Sequence, residues 1–192
     1  MQPSRGDDVM WVTAFDALYR WYRNLDAPES NIPPVLVLEL RRAYRTTTLG
    51  DGTVIRRGDC IGVLHLNHRR VAALHRRVLT PIALGLVFRR DMLASLQSLA
   101  LLARPGGRLE GVRAFTAVTI FHHGLPRLGF EADARGLRWP RLTGAYQRAL
   151  LATLHPDGPS RTTGLASARA ARFWLSRERL IARYALPTSR AG

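Results

Sequence analysis

Asp51-Gly-Thr-Val-Ile-Arg-Arg-Gly-Asp59-Cys-Ile-Gly-Val-Leu-His65-Leu-Asn67-His68 reads as turn, short strand, turn and strand. Gly50-Asp51-Gly52 is the strongest turn signal in the chain, because glycine supplies the positive φ that a tight hairpin needs. Thr53 to Arg56 is a short strand, Arg57-Gly58-Asp59 a second turn, and Cys60 to Asn67 a further strand. Alternation places Ile61, Val63, His65 and Asn67 on one face, apolar at its start and polar at its end. Ligands gather at the carboxyl ends of strands in open α/β sheets, so His65 and Asn67 are candidate site residues. Arg69 and Arg70 open the next helix, where their side chains and the helix amides can hold an anion. The plainer reading is that His65 and Asn67 close the strand and cap the helix.

Outward from this stretch, Val35 to Thr46 sets Val35, Val37 and Glu39 against Leu36, Leu38 and Leu40. Its first half is apolar on both faces, which predicts an internal strand. Residues 27–34 break a first helix, capped by Asp7 or Asp8, whose Trp11, Phe15, Leu18 and Tyr22 form one stripe. Downstream, Arg69 to Leu79 is a basic helix with Val71, Leu74 and Val78 inward. Thr80-Pro81 then starts a long helix to Ala103, since proline suits the first helical position. Val112 to Ala117 is expected as a strand, Thr119 to Arg127 as a short helix, and Phe130 to Asp133 as a strand. Leu142 to Leu154 follows as a helix, and Phe173-Trp174-Leu175 as a strand feeding a last helix, Ser176 to Tyr184, capped by Ser176. The expectation is one α+β domain over residues 7–186. It has a small mixed sheet, with a hairpin around Asp51-Gly52, packed on several helices including a long central one. Residues 1–6 and 187–192 are expected as flexible ends and 158–168 as a mobile loop.

The long helix carries more apolar residues than one stripe needs, with Ile82, Leu86, Val87, Leu101 and Leu102 partly off the main face. Central burial predicts that Leu86, Met92, Leu96 and Leu99 are almost fully covered. The alternative is an exposed face that makes a homodimer or rests on a membrane, with Arg89, Arg90 and Arg104 reaching anionic headgroups. Arg89, Arg90 and Asp91 argue against a spanning helix, at a combined cost of roughly 8–10 kcal/mol. No signal peptide is read at the N-terminus. The expected location is cytoplasmic, with peripheral membrane contact allowed.

The charge is lopsided. The 192 residues include 29 Lys and Arg, all of them Arg, against 14 acidic residues, for a net charge of +15. Codon bias explains the absence of Lys more simply than selection for guanidinium chemistry. Arg41 to Arg90 holds eleven Arg against only Asp51 and Asp59. Such a field attracts the phosphates of nucleic acid, anionic lipid or a nucleotide-linked sugar. The nucleic-acid reading lacks stacking aromatics, since only Tyr44 and Phe88 fall in that window. Trp139, beside Arg138 and Arg141, can stack a base or sugar or serve as a partly buried anchor.

Familiar signatures of phosphate, dinucleotide, zinc-protease and serine-hydrolase chemistry are missing. The single Cys60 excludes a disulfide framework and a Cys-rich zinc site. His65 with His68, or His122 with His123, lack carboxylates at ligand spacing, so neither metal nor other cofactor is expected. One catalytic arrangement can be drawn, with His65 as general base oriented by Asp59. Asp59 follows a turn glycine, however, where Asp is common for its bonds to backbone amides.

Asp51-Gly52-Thr53, Gly58-Asp59, Leu64-His65-Leu66-Asn67, Gly129-Phe130, Trp174-Leu175-Ser176-Arg177 and Arg183-Tyr184 together resemble the YkoP-like domain over roughly residues 10–184. That family occurs as stand-alone bacterial proteins and as the C-terminal partner of polysaccharide deacetylases. The resemblance implies cell-envelope polysaccharide metabolism as the setting and carries no activity with it. The deacetylase metal motif is absent here, and only Asp59, His65 and Asn67 are carried over as candidate positions. The expectation is an accessory, non-catalytic domain that binds a glycan, an anionic lipid-linked precursor or a polysaccharide-modifying partner enzyme. Its site would be the end of strand 60–67 with Arg69 and Arg70. The alternatives are a small hydrolase or transferase using His65 and Asp59, and an Arg-rich nucleic-acid-binding protein.

Overall fold

A computed structural model describes residues 23, 25–77, 80–120, 124–137, 139–154 and 169–185. The expected first helix, the 158–168 loop and both chain ends lie outside them. Strands β1 (Asn31–Ile32), β2 (Leu36–Arg42), β5 (Cys60–Leu66), β6 (Ala114–Thr119), β7 (Glu131–Ala132) and β8 (Ala171–Ser176) form one sheet in the order β1-β2-β5-β6-β8-β7. Every neighbouring pair is antiparallel except β5 and β6. A parallel pair needs a long crossover. Here it carries α1 (His68–Arg77) and α2 (Pro81–Ala103). The fold is α+β, with a mixed sheet, as the residue pattern predicts.

β2 is internal, paired along its whole length with β5 from Leu36–Leu66 to Arg42–Cys60. Between them in the chain comes a separate hairpin, β3 (Thr47–Thr48) against β4 (Val54–Ile55). Its turn is closed by Gly52 N–H to the Leu49 carbonyl (3.0 Å) and Leu49 N–H to the Thr53 carbonyl (2.9 Å). Gly52 has φ of 82°, a conformation that costs a side chain dearly. The hairpin around Asp51-Gly52 is therefore present but outside the main sheet, because β2 ends at Arg42 rather than at Thr46.

The sheet has two apolar faces. On one, Leu36, Leu38, Leu64, Phe115, Phe173 and Leu175 pack under α2 and α4 (Arg177–Tyr184), which contribute Leu96, Leu99, Ala100, Ala103, Leu180 and Tyr184. On the other, Ile61, Ala114 and Trp174 lie under Ala43, Leu49 and Ile55 from the hairpin and its approach. Gly62 permits the first layer to close. A Cβ there would stand 2.6 Å from the Phe115 ring and 2.8 Å from Leu38.

Two expectations fail for physical reasons. Thr119 to Arg127 is not one helix: β6 runs through Thr119, fully paired with β8, and the described residues beyond it hold only a 3-10 turn at Pro126–Leu128. Thr116, Val118 and Thr119 are β-branched and favour the extended chain. The central burial of α2 is half right. Leu96 and Leu99 are fully buried and Met92 packs on the core, but Ile82 is 79% and Leu86 63% exposed. The core layer takes α2 residues only from Met92 onward, so the first three turns extend past it. α3 (Pro140–Leu154) begins two residues before the expected helix, with proline at its first position.

Candidate functional site

β2 and β5 place Glu39 and His65 on one face as diagonal neighbours, since Val37 faces His65 and Glu39 faces Val63. Glu39 is 5% exposed. Its Oε2 lies 3.0 Å from His65 Nε2, and Arg41, two residues on along the same face, grips both oxygens through Nε (2.6 Å) and Nη2 (3.0 Å). Arg23 Nε stands 3.4 Å from Oε1. Burial pushes the Glu39 carboxyl up, but hydrogen bonds from His65 and Arg41, with their charges, outweigh it and hold the pKa at about 2. Glu39 is a permanent anion at neutral pH, wrapped by its own cations.

Asp59 is not part of this group. It precedes β5, and its carboxylate accepts the Arg56 amide at 2.7 Å, the turn role its position suggests. Six residues of extended chain, about 20 Å, separate it from His65. The base-and-orienter pairing drawn from the sequence does not form; the carboxylate beside His65 is Glu39. Asn67 donates its amide to the Val35 carbonyl (2.8 Å) and accepts the Arg70 amide on its side chain (3.2 Å). It thus closes β5 and caps α1. Arg69 and Arg70 follow, exposed, on a helix with no acidic residue in its first turn.

At the opposite end of the sheet, residues distant in sequence meet. Ser176 caps α4 by accepting the Arg179 amide (3.0 Å) and donates its hydroxyl to Asp51 Oδ2 (2.5 Å). Arg179 reaches Glu131 (3.3 Å) and approaches Asp51 (3.9 Å), while Glu131 accepts the Gly50 amide (2.6 Å). Burial works against the ionised Asp51, but bonds from Ser176 and Thr53, with the charge of Arg179, win and lower its pKa. This network ties the hairpin to α4 and β7. A third group joins buried Asp133 to Arg45 (2.5 Å) and, at 4.0 Å, to Arg172, which donates to the Tyr44 hydroxyl (2.8 Å). Beside it, Nε of Arg45 and Arg172 and the indole N–H of Trp174 are buried with no hydrogen-bond partner among the described residues.

Sequence reasoning missed Glu39, Arg41, Glu131 and Arg179 as members of these networks. For Glu39 a signal exists: a carboxylate in an otherwise apolar, internal strand must find a cation. Glu131 and Arg179 carry no such local mark.

Two shallow depressions lie elsewhere. One, of about 420 Å³, is lined by Pro126, Gly129, Phe130, Arg179, Ala182 and Arg183. The other, about 290 Å³, is formed by Trp139, Pro140, Arg141, Leu142 and Arg169. Trp139 is 63% exposed, a surface ring rather than a buried anchor. Among the described residues, no group of three or more His, Cys, Asp or Glu side chains is placed to hold a metal ion. No described helix is long and apolar enough to cross a membrane.

Fold and site together define a basic, mixed-sheet α+β domain whose buried carboxylates are engaged by its own arginines. The chain belongs to the YkoP domain family, whose model matches residues 9–184. Comparisons with curated proteins and with solved structures return no match. The family matches nearly the whole fold, so Asp51, Ser176 and the His65-Leu66-Asn67 run lie inside the shared unit.

Proposed function

We propose that the chain is an accessory, non-catalytic domain of cell-envelope polysaccharide metabolism that binds an anionic glycan or glycan precursor at the start of α1. The observation that carries this reading is the unequal use of charge. Glu39 and Asp133 are buried and ion-paired to arginines, and the partly exposed Asp51 and Glu131 both lie against Arg179. Arg69, Arg70, Arg76 and Arg77 on α1 are exposed and make no ion pair among the described residues. What remains at the end of β5 is a cationic face for an anion. The polysaccharide setting comes from the family's association with deacetylases, and exposed Trp139 between Arg141 and Arg169 is a second surface suited to sugar stacking. The same reading places the domain in the cytoplasm, where such precursors carry phosphates, with a partner enzyme as the other candidate ligand.

A calorimetric titration with acidic and neutral glycan fragments tests it. Acidic fragments should bind, and Arg69→Gln/Arg70→Gln should weaken them about tenfold or more, as the loss of charge-assisted bonds requires. Binding of none of them, or binding indifferent to the substitutions, overturns the reading. The hydrolase or transferase reading keeps one observation in its favour, the 3.0 Å contact that orients His65 against Glu39. Any turnover found should then vanish in His65→Ala and survive Asp59→Asn.

A further inference from the structure

Apolar residues are spread round α2 rather than gathered in one stripe, a pattern normal for an enclosed helix. Its second half buries one face, with Ser95, Leu96, Leu99, Ala100 and Ala103 covered and Leu101 51% exposed on the other side. Its first half does not. Ile82 and Leu86 are among the most exposed apolar side chains of the described residues, and they stand one turn apart on a single face. Gly85 between them is exposed as well, and Arg89 and Arg90 continue the same face one turn beyond Leu86. Arg90 shares its charge with Asp91 at 3.0 Å, while Arg89 makes no ion pair among the described residues.

Apart from Asp91, the charge around this face is positive. His68 to Arg90 contains six arginines and no acidic residue. α1, which packs against α2, is strongly amphipathic and keeps Arg69, Arg70, Arg76 and Arg77 outward. An apolar tip rimmed by arginines suits an anionic bilayer, where aliphatic side chains enter the acyl boundary and guanidinium groups meet lipid phosphates. A second copy of this chain would bring the same arginines against themselves, so charge complementarity selects a membrane over a dimer.

We infer that the α1–α2 corner is a peripheral membrane-docking surface for anionic lipid, with Ile82 and Leu86 as the inserted residues and Arg89 and Arg90 as headgroup contacts. The inference goes beyond the glycan reading and stands without it, because it needs no ligand at Arg69 and Arg70.

Sedimentation of the full chain with phosphatidylcholine vesicles, with and without phosphatidylglycerol, is the test. The protein should bind only the phosphatidylglycerol vesicles and release them as salt rises. Arg89→Gln/Arg90→Gln should weaken binding by roughly thirtyfold, given the worth of each basic residue near an anionic surface. Ile82→Ser/Leu86→Ser should weaken it by more than about tenfold while leaving the melting temperature unchanged, because the replaced side chains are exposed. Three results overturn the inference. One is binding to neither vesicle, or equally to both. A second is a dimer, seen by light scattering, that Ile82→Ser/Leu86→Ser dissociates. The third is a sharp drop in melting temperature in that variant without vesicle binding. That outcome would mean another part of the chain, such as the Trp11–Tyr22 stripe read from the sequence, covers the face.

Discussion

At the scale of single residues, Glu39 does the most with the least exposure. Its folded pKa of about 2 lies below the ordinary 4.5, so between these values the unfolded chain binds more protons than the folded one. Stability therefore rises with pH across that window, is complete above about 4.5, and is lost as pH falls toward 2. A melting series from pH 6 to pH 2 should show this fall, on the order of 2 kcal/mol in unfolding free energy. Glu39→Gln should lower stability at pH 7 by about 2–3 kcal/mol, since Arg41 loses its charged partner, and should flatten the acid limb. Ser176→Ala removes a helix cap and the bond to Asp51 together, for a loss of about 1–2 kcal/mol in urea unfolding. Of the candidate residues, the sequence shows which ones carry polar chemistry but not whom they face. His65 is found by alternation; its partner lies 26 residues upstream and emerges only when the β2–β5 register is known. Asp59 lies nearer in sequence and farther in space, because an extended strand carries its two ends apart.

At the scale of elements, what was legible follows from local physics. The Asp51-Gly52 hairpin, the proline start of α2 and the Ser176 cap of α4 are set by one or two residues each, and all three stand in the structure. The cap on α2 is Thr80, which accepts the Ala83 amide at 3.3 Å. Pairing order was not legible, since no local pattern tells β6 to accept β8 rather than β7. Nor was the extension of β6 through Thr119, where β-branched residues and a long partner strand override a weak helical pattern. The β5–β6 contact gives a further prediction. Gly62→Ala drives a methyl group into the Phe115 ring and Leu38, and should cost about 1–3 kcal/mol by overpacking. Calorimetric melting checks it, and Gly111→Ala, where nothing lies within 4 Å of the added carbon and φ is not positive, is the control without a clash.

At the scale of the whole molecule, 29 arginines stand against 14 acidic residues, and the buried carboxylates Glu39 and Asp133 are already paired with arginines, so positive charge dominates the chain. Any nucleic-acid binding should then be non-specific and should weaken steeply with salt in a filter assay. A salt-insensitive, sequence-selective complex would contradict that account. The sheet order has another consequence, for the way the chain is made. β8 is the last of the described strands in chain order, yet it sits between β6 and β7 and supplies Phe173 and Leu175 to one layer and Trp174 to the other. Until residues 171–176 leave the ribosome, β6 has an open edge, and Phe115 and Ala114 lack the neighbours that cover them. A shorter chain ending at residue 168 should be aggregation-prone rather than a smaller stable domain, as sedimentation of the expressed fragment would show. The nascent protein must wait for its last strand, and through that interval a chaperone or the ribosome surface has to shield an unfinished sheet.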